Sequence, residues 1–498
     1  IDLMQKRYMH PGETPEGVLK RVAHALSIRD KGFEKELYEA MLNGVFFPNS
    51  PCLRNAGHKK GMLSACFVIP IEDSISSIFE TVKNMSIIFQ RGGGVGINFG
   101  PLRPKGAPLA SGGTSSGAVS FMSIFDAVIH TVKQGGFRRG AALGALPFTH
   151  PEIFDFCGAK LTRTLTNFNL SVLVTDEFMR KATGDDDDGY VELSHDAGGK
   201  KKVVRAKDIL DIVTLGAWVS GDPGLLFYDR INKDNKNPEV PIVCTNPCGE
   251  EPLPPFGACC LGSLNLAKYV EGNNFNFEKF YDGIKMAGRA LLNLNTINWY
   301  PVPQITRVMS DLNPIGIGVM GFADALIMLG IRYDSEDCLK FIDELSKPYI
   351  QGSEEVAPDS FYKRSIVPTG SVSILADCSP SIEPVFARSF ERHVVAGVFK
   401  ESRDIYNSEL CVTAHEVSPI WHVKVQTKFQ SFIDAGVSKT VNVPNDIGAD
   451  DIKQIYIKAW KMGAKGITVY RDGSIEGVLV NTEKMDKKSC EDPETCIL

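Results

Sequence analysis

The chain has 498 residues, 43% hydrophobic and 23% charged, with a net charge of −6. That is more than one small core serves, so the composition suits a soluble protein of two or three domains, or one large α/β barrel with additions. The charge balance argues against a basic nucleic-acid-binding surface, charged or polar residues interrupt every long apolar run, and "IDLMQKRYMH" lacks an apolar core of signal-peptide length.

Residues 13–45 carry helical spacing. In "TPEGVLKRVAHALS", Thr14 is a candidate N-cap, and Val18, Val22 and Leu26 share a face. "MLSACFVIP", 62–70, is a short apolar run closed by Pro70 and reads as a buried strand. A helix follows over 74–91, capped by Asp73 or Ser74, with Ile75, Ile78, Phe79, Val82 and Met85 on its apolar face. The stretch 92–117 is rich in Gly, Ser and Pro and reads as loop. The next helix, "AVSFMSIFDAVIHTVKQ", is expected to end at Gly135-Gly136, and "FRRGAALGALPF" continues as loop, then strand. Residues 184–189 read as an exposed acidic turn. From 203 onward helices alternate with short apolar strands, as in 314–331 and 465–474, which implies a parallel sheet and an α/β fold. From about 476 the chain is polar and aperiodic, and reads as a flexible tail.

Twelve cysteines without a secretion signal point to free thiols in a reducing, cytoplasmic compartment. Cys52, Cys157, Cys338, Cys378 and Cys411 are isolated and read as small buried apolar residues. "CTNPCGEEPLPPFGACC", 244–260, is a different matter. It has no C-x2-C knuckle, and Cys259 and Cys260 would point apart on a strand, so no metal site is expected there. On extended backbone Asn246, Cys248 and Glu250 would share a face. The carboxylate could then take a proton, the amide hold an oxygen, and the thiol act on carbon. A redox pair would have to come from elsewhere, and Cys66 is a candidate partner for Cys259. Cys490 and Cys496 in the tail could exchange with a buried disulfide, or be an incidental exposed pair.

Ten stretches spread over most of the chain are specific together: "PNSPCLRNAG", "MLSACFV", "GGGVGINFGPLRPKG", "SGAVSFM", "VKQGGFRRGA", "SGDPGLLF", "TNPCGE", "GIGVMGFAD", "PTGSVS" and "GITVYRDGS". On them the chain resembles the catalytic subunit of ribonucleotide reductases, and is most similar to the adenosylcobalamin-dependent class II kind. The resemblance implies a ten-stranded α/β barrel of two parallel five-stranded halves with a central finger loop, 244–260. It also implies an N-terminal helical region over 1–60, the barrel over 61–475 and a redox tail over 476–498. The implied activity is reduction of ribonucleotides to 2′-deoxyribonucleotides by thiyl-radical chemistry.

By the same resemblance Cys248 matches the thiyl that removes the ribose 3′ hydrogen. Glu250 matches the base for the 3′-hydroxyl, and Asn246 the amide that binds the ribose hydroxyls. Cys66 and Cys259 match the pair that protonates the departing 2′-hydroxyl and ends as a disulfide. Pro368, Thr369, Gly370, Ser371 and Ser373 would hold phosphates at a helix start, and Asn49 and Ser50 resemble a substrate-contact segment. Asp73 matches a residue that binds the ribose of a deoxynucleoside triphosphate effector. The 100–117 loop and the 134–140 loop, with Gln134, Arg138 and Arg139, match two specificity loops. A homodimer and a thioredoxin- or glutaredoxin-type reductant are implied.

The match has departures. No ATP-cone is seen, so overall on/off control by ATP and dATP is not expected. The segment between "FIDELSKPYIQG" and "SIVPTGS" is short, and five residues separate the tail thiols Cys490 and Cys496, which the family commonly sets closer. Arg471 follows Tyr470 where class I relatives carry a second tyrosine, which favours adenosylcobalamin over a separate metal-containing subunit. An Asp-x-His-x-x-Gly cobalamin motif is missing, but class II reductases do not need one. The alternatives are a class I catalytic subunit and a non-catalytic nucleotide-binding regulator on this fold. The joint presence of Asn246, Cys248, Glu250, Cys66 and Cys259 argues against the regulator.

Overall fold

Strands buried on both faces have no polar side to alternate, so they read as short unbroken apolar runs. The computed structural model, which describes residues 2–132, 140–186, 188–394, 397–474 and 479–481, is organised around such strands. Cys66–Val68, Gly94–Asn98, Ala142–Pro147, Phe168–Val174 and Gly224–Phe227 lie side by side in parallel. A second parallel set begins with Leu261–Asn265 and Gly316–Met320. It continues through the parallel bridges Ile317–Arg364 and Ile366–Val437, and ends with Thr440–Val443 beside Gly466–Arg471. The two halves meet antiparallel at both seams. Gly466–Arg471 pairs with Gly224–Phe227 on one side, and Phe67 bridges Ala258 on the other. This is the ten-stranded barrel expected from the sequence.

Apolar side chains form two layers. The larger cluster lies between the strands and the helices around them, and includes Phe99, Phe125, Phe168 and Val172. The smaller one fills the barrel, where Cys66, Leu143, Leu173, Leu226, Cys244, Leu253 and Cys259 pack around the 244–260 loop. Helices Asp2–Arg7, Pro15–Leu26, Glu34–Leu42 and Ser50–Asn55 form the N-terminal region. Strand Phe46–Pro48 ties it to the barrel by antiparallel pairing with Leu261–Asn265. Thr14 caps the helix Pro15–Leu26 by accepting from the Gly17 amide, and Val18, Val22 and Leu26 are buried, as their spacing requires.

Three local expectations need correction. The stretch 92–117 is not all loop, because Gly94–Asn98 is a buried barrel strand. Its glycines are there for contact: a Cβ on Gly96 would sit 1.8 Å from the Thr245 carbonyl oxygen, and one on Gly94 would sit 3.1 Å from Pro247 Cγ. Composition alone cannot separate a glycine that permits a turn from one that admits another backbone. Helix Ile75–Gln90 is capped by Ser74, but it buries Ile78, Thr81, Asn84, Met85, Ile88 and Phe89, and leaves Ile75 and Phe79 60% and 50% exposed. The helix is apolar on more than its core face. Helix Ala118–Thr131 ends before the Gly135-Gly136 stop, which lies outside the described residues.

Candidate active site

The finger loop enters the barrel as a hairpin, not as extended backbone. Thr245 bridges Pro252 antiparallel, the Asn246 amide donates to the Glu251 carbonyl at 3.2 Å, and the Gly249 amide donates to the Asn246 carbonyl at 3.1 Å. Gly249, at φ 83°, makes the turn that a side chain would resist. Asn246, Cys248 and Glu250 are therefore gathered at a hairpin tip, and the expectation that strand alternation puts them on one face is corrected. Gly96 presses on the loop from one side. On the other, the Gly436 amide donates to the Glu250 carbonyl at 2.7 Å, and a Cβ on Gly436 would meet the Gly249 oxygen at 2.7 Å. Two side-chain-free positions thus fix where the tip sits.

Cys248 is exposed at that tip, whereas Asn246 and Glu250 are buried. Cys66 and Cys259 come together across the antiparallel seam. The Cys259 amide donates to the Cys66 carbonyl at 3.1 Å, which brings the two thiols near one another. Burial first, then the Cys66 hydrogen bond and the nearby glutamates, hold the Cys259 thiol well above its ordinary range, so it stays protonated. Its neighbour Cys260 faces elsewhere, donating to Asn295 Oδ1 at 2.7 Å and lying 3.4 Å from Ser64 Oγ. Among the described residues no cluster of three His, Cys, Asp or Glu is placed to hold a metal ion.

The predicted substrate residues adjoin one another through the N-terminal helices. Asn49 caps Ser50–Asn55 by accepting from the Cys52 amide. The Tyr8 hydroxyl is 2.9 Å from Ser50 Oγ, and Arg7 donates to Ser371 Oγ. The 368–373 turn leads into a helix of a single turn, Val372–Leu375. Part of its donor set is already used: the Ser373 amide goes to the Thr369 carbonyl at 2.9 Å, and Thr369 Oγ1 accepts from the Ser381 amide at 2.7 Å. Pro368 lines the cavity described below, and Gly370 has only Arg392 Nη1 within 4 Å of a Cβ position. Asn49 Nδ2, Asn246 Nδ2 and Ser373 Oγ are buried with no hydrogen-bond partner among the described residues. Such groups are costly unless a bound polar molecule satisfies them.

A cavity of about 510 Å³ reaches the finger loop at Pro247, Cys248 and Gly249, but not at Asn246, Glu250, Cys66 or Cys259. Its walls combine apolar strand residues, among them Leu143, Leu170, Leu225 and Val469, with polar and charged ones, among them Asp222, Glu383 and Arg392, and Tyr470 stands at the last strand. Lys439, in the same wall, is buried against Glu383 at 2.5 Å and His422 Nδ1 at 3.1 Å. Arg471 points elsewhere. Its guanidinium stacks on Trp218 at 4.4 Å and donates to the Trp218 and Asn445 carbonyls at 2.7 and 3.1 Å.

Asp73, ahead of helix Ile75–Gln90, accepts from the Arg103 side chain at 2.7 Å and from its amide at 3.2 Å, which joins it to the 100–117 loop. Sequence reasoning missed what holds that loop. Glu152 accepts from the Lys105 and Ala118 amides at 3.2 and 2.7 Å, His150 Nε2 lies 3.0 Å from the Leu102 carbonyl, and His195 Nε2 lies 3.1 Å from that of Gly100. It also missed Glu251, a second buried carboxylate whose only sequence signal was its place beside Glu250. Burial first, then the charges of Glu250 and Cys66, raise its carboxyl well above the ordinary range. Gln134, Arg138, Arg139, Cys490 and Cys496 lie outside the described residues.

Comparison with known proteins agrees across the chain. Residues 64–351 and 362–470 match the family "Ribonucleotide reductase, barrel domain", and residues 1–61 match "Ribonucleotide reductase, all-alpha domain". The chain is 41% identical to a "Vitamin B12-dependent ribonucleoside-diphosphate reductase" of Thermoplasma acidophilum, over 92% of this chain and 67% of the relative. It is 34% identical to a protein of the same name from Mycobacterium tuberculosis, over 97% of this chain and 80% of that one. A solved structure, "Actinobacillus ureae class Id ribonucleotide reductase alpha subunit", shares the fold at a TM-score of 0.79 and 21% identity, covering 94% of this chain and 96% of that one.

Proposed function

The chain belongs to the ribonucleotide reductase large-subunit family, and from that premise we propose that it reduces ribonucleotides by radical chemistry at Cys248, with Cys66 and Cys259 as the reductant. The observation that carries this reading is the hairpin tip, where an exposed thiol stands between buried Asn246 and Glu250 while Cys66 and Cys259 lie side by side at the adjoining seam.

A thiyl at Cys248 takes the 3′ hydrogen of the ribose, and Glu250 takes the 3′-hydroxyl proton while the Asn246 amide holds the ribose hydroxyls. The 2′-hydroxyl then leaves as water with a proton from the Cys66–Cys259 couple. Two electrons and the couple's second proton pass to the sugar and form the 2′ C–H bond as the sulfurs join in a disulfide, Glu250 returns its proton to the 3′ oxygen, and Cys248 returns hydrogen to the 3′ carbon. The Cys259 thiol suits the role of proton donor, since burial keeps its proton on until the substrate draws it off. The barrel interior keeps water from quenching the intermediates. Asn49, Ser50 and the 368–373 turn bind the nucleotide's phosphates and sugar, and their unsatisfied buried groups support this.

Adenosylcobalamin is the cofactor we assign, as the names of the relatives suggest. The cavity that reaches Cys248 supports this, since a group seated at its mouth would lie against Leu143, Leu170, Leu225 and Tyr470, with polar side chains such as Asn442 and Gln426 for the group's amides. When bound, the cofactor supplies the radical that removes hydrogen from the Cys248 thiol. Arg471, turned onto Trp218, stands where class I relatives carry a second tyrosine, which supports class II over class I. A deoxynucleoside triphosphate effector is assigned to Asp73 with the 100–117 and 134–140 loops. The exposed Ile75 and Phe79 support a homodimer through the same helix. A thioredoxin- or glutaredoxin-type protein would restore the dithiol, with Cys490 and Cys496 as the relay.

The test is reduction of a ribonucleotide by the purified chain with dithiothreitol, a deoxynucleotide effector and adenosylcobalamin, without a second subunit. Deoxynucleotide product that disappears in Cys248→Ala is expected. Turnover only after a metal-containing partner is added would move the chain to class I.

A further inference from the structure

The barrel holds a buried carboxyl that the proposed reaction does not use. Glu251 follows Glu250 directly and is 1% exposed. Its amide donates to Asn246 Oδ1 at 2.9 Å, and its carbonyl accepts from the Asn246 amide at 3.2 Å, so the hairpin fixes its backbone. Its side chain reaches the second half-barrel, where a Cβ on Gly316 would meet Glu251 Oε1 at 3.0 Å. Glycine there leaves room for the carboxyl. Gly316 pairs with Leu261, and its amide donates to the Cys260 carbonyl at 2.9 Å. The carboxyl is thus set beside the strand that begins right after Cys259 and Cys260, at the seam where Cys259 meets Cys66. Among the described residues Glu251 Oε1 has no hydrogen-bond partner.

The groups that face this carboxyl come from several walls. They are Glu250 on the loop, Cys66 on the first strand, Cys259 and Cys260 at the seam, and Tyr362, Asp434 and Lys465 from segments leading into later strands. Lys465, the cation of this group, is already held by Asp234 at 2.8 Å and by the Asp434 carbonyl at 2.6 Å. The Asp434 carboxylate accepts from the Arg364 amide at 2.8 Å. With no cation paired to it and Glu250 beside it, the buried Glu251 carboxyl keeps its proton. A buried disulfide needs such an acid. When an external thiolate attacks, a sulfur whose thiol has a high pKa leaves slowly as a bare thiolate. Burial holds the Cys259 thiol well above its ordinary range, so Cys259 leaves readily only with a proton at hand.

We propose that Glu251 is the acid–base group that reloads the Cys66–Cys259 couple, giving a proton to Cys259 as an external dithiol reduces the disulfide. The proposal rests on the reading of Cys66 and Cys259 as the reductant of the ribonucleotide. The dithiol's first thiol loses its proton to water, and its sulfur bonds to Cys66 Sγ. The Cys66–Cys259 bond breaks, its electron pair stays on Cys259 Sγ, and Glu251 supplies the proton there. The dithiol's second thiol then gives its proton to the Glu251 carboxylate and attacks its partner sulfur on Cys66. Cys66 leaves with the electron pair and takes a proton from water. The dithiol ends as a disulfide, the couple regains two electrons and two protons, and Glu251 is unchanged.

The experiment oxidises the full chain with diamide, and peptide mass spectrometry checks for the Cys66–Cys259 bond. Cys490→Ser and Cys496→Ser are carried in every sample, so that the tail thiols take no part. Dithiothreitol then reduces the bond in rapid-quench runs from about pH 6 to about pH 9, and each rate is divided by the reductant's thiolate fraction. Glu251→Gln keeps the shape of the protonated carboxyl but has no acidic proton to give, and thermal melting checks that it is folded. With Glu251 present the corrected rate should be highest at low pH and fall as the carboxyl ionises. At about pH 6 Glu251→Gln should be slower by about 100-fold, the scale of a positioned acid, and its corrected rate should not vary with pH. A Glu251→Gln rate within about threefold of that of the Glu251 chain overturns the proposal. So does a corrected rate that falls with pH alike in both chains, because the titrating group would then be another. Failure of Cys66 and Cys259 to form a disulfide defeats the reading of the pair, and the proposal with it. A disulfide that forms, and is reduced as fast in Glu251→Gln, defeats the role of Glu251 alone.

Discussion

The position of the finger loop depends on a missing methyl group. In Gly96→Ala the new Cβ would stand 1.8 Å from the Thr245 carbonyl oxygen, 2.9 Å from its carbon and 3.2 Å from Cys244 Sγ. The obstacle is mostly backbone, so no rotamer change relieves it, and the loop must recede by about 1.5 Å to regain ordinary contact. Thr245 lies three residues from Cys248 in a hairpin whose other side is closed by Gly436, so the shift is carried to the tip. A misplacement of about 1 Å at a reacting group costs on the order of 100-fold in rate, and overpacking costs about 1–3 kcal/mol of stability. The assay is single-turnover deoxynucleotide formation beside a thermal melt. Gly96→Ala should lose about 100-fold or more in rate and melt lower. Gly94→Ala meets a proline side chain at 3.1 Å and should lose much less. A Gly96→Ala protein with more than half the wild-type rate and an unchanged melting temperature would refute the reasoning.

Three further outcomes follow from individual side chains. Glu251 has a carboxyl pKa raised by burial and by the charges beside it, so the folded chain holds a proton that the unfolded chain releases above the ordinary carboxylate range. Its contribution to stability is therefore present at low pH and falls as pH rises. Glu251→Gln, which does not titrate, should melt with wild type near pH 4.5 and be more stable at pH 8 by roughly 1–3 kcal/mol, read from melting temperature against pH. Iodoacetamide at pH 8 should label Cys248 in the native chain and spare Cys244 and Cys260, whose thiols burial pushes up to about 12, leaving on the order of one thiolate in ten thousand. Peptide mass spectrometry reads this, and equal labelling of Cys244 would contradict it. Arg471→Tyr removes donors from the Trp218 and Asn445 carbonyls, so it should cost about 1–3 kcal/mol of stability while cobalamin-supported turnover stays within about twofold of wild type.

How far the fold could be read from sequence depended on whether a residue's type has one physical use or several. Apolar runs such as 66–68 and 316–320 have one use at that length, and they are barrel strands. Glycine has two. At Gly249 it supplies a positive φ, as loop composition suggests, but at Gly96 and Gly436 it lets one backbone lie against another. That use appears only once the partner strand and loop are in place, which is why 92–98 reads as loop in sequence and is a strand in the fold. The same limit governs the candidate site. The motif around Cys248 is local and could be read directly, whereas the meeting of Cys66 with Cys259 needs two half-barrels to join antiparallel at a seam. The cationic cleft where the N-terminal helices meet the barrel is harder still. Arg7, Arg54, Lys60 and Arg91 come from three separate segments, and each alone is an ordinary surface charge. Their chemistry exists only as a sum over neighbours, so it has no counterpart in any one stretch of sequence. Charges assembled from distant segments are therefore where structure adds most to the reading of this chain.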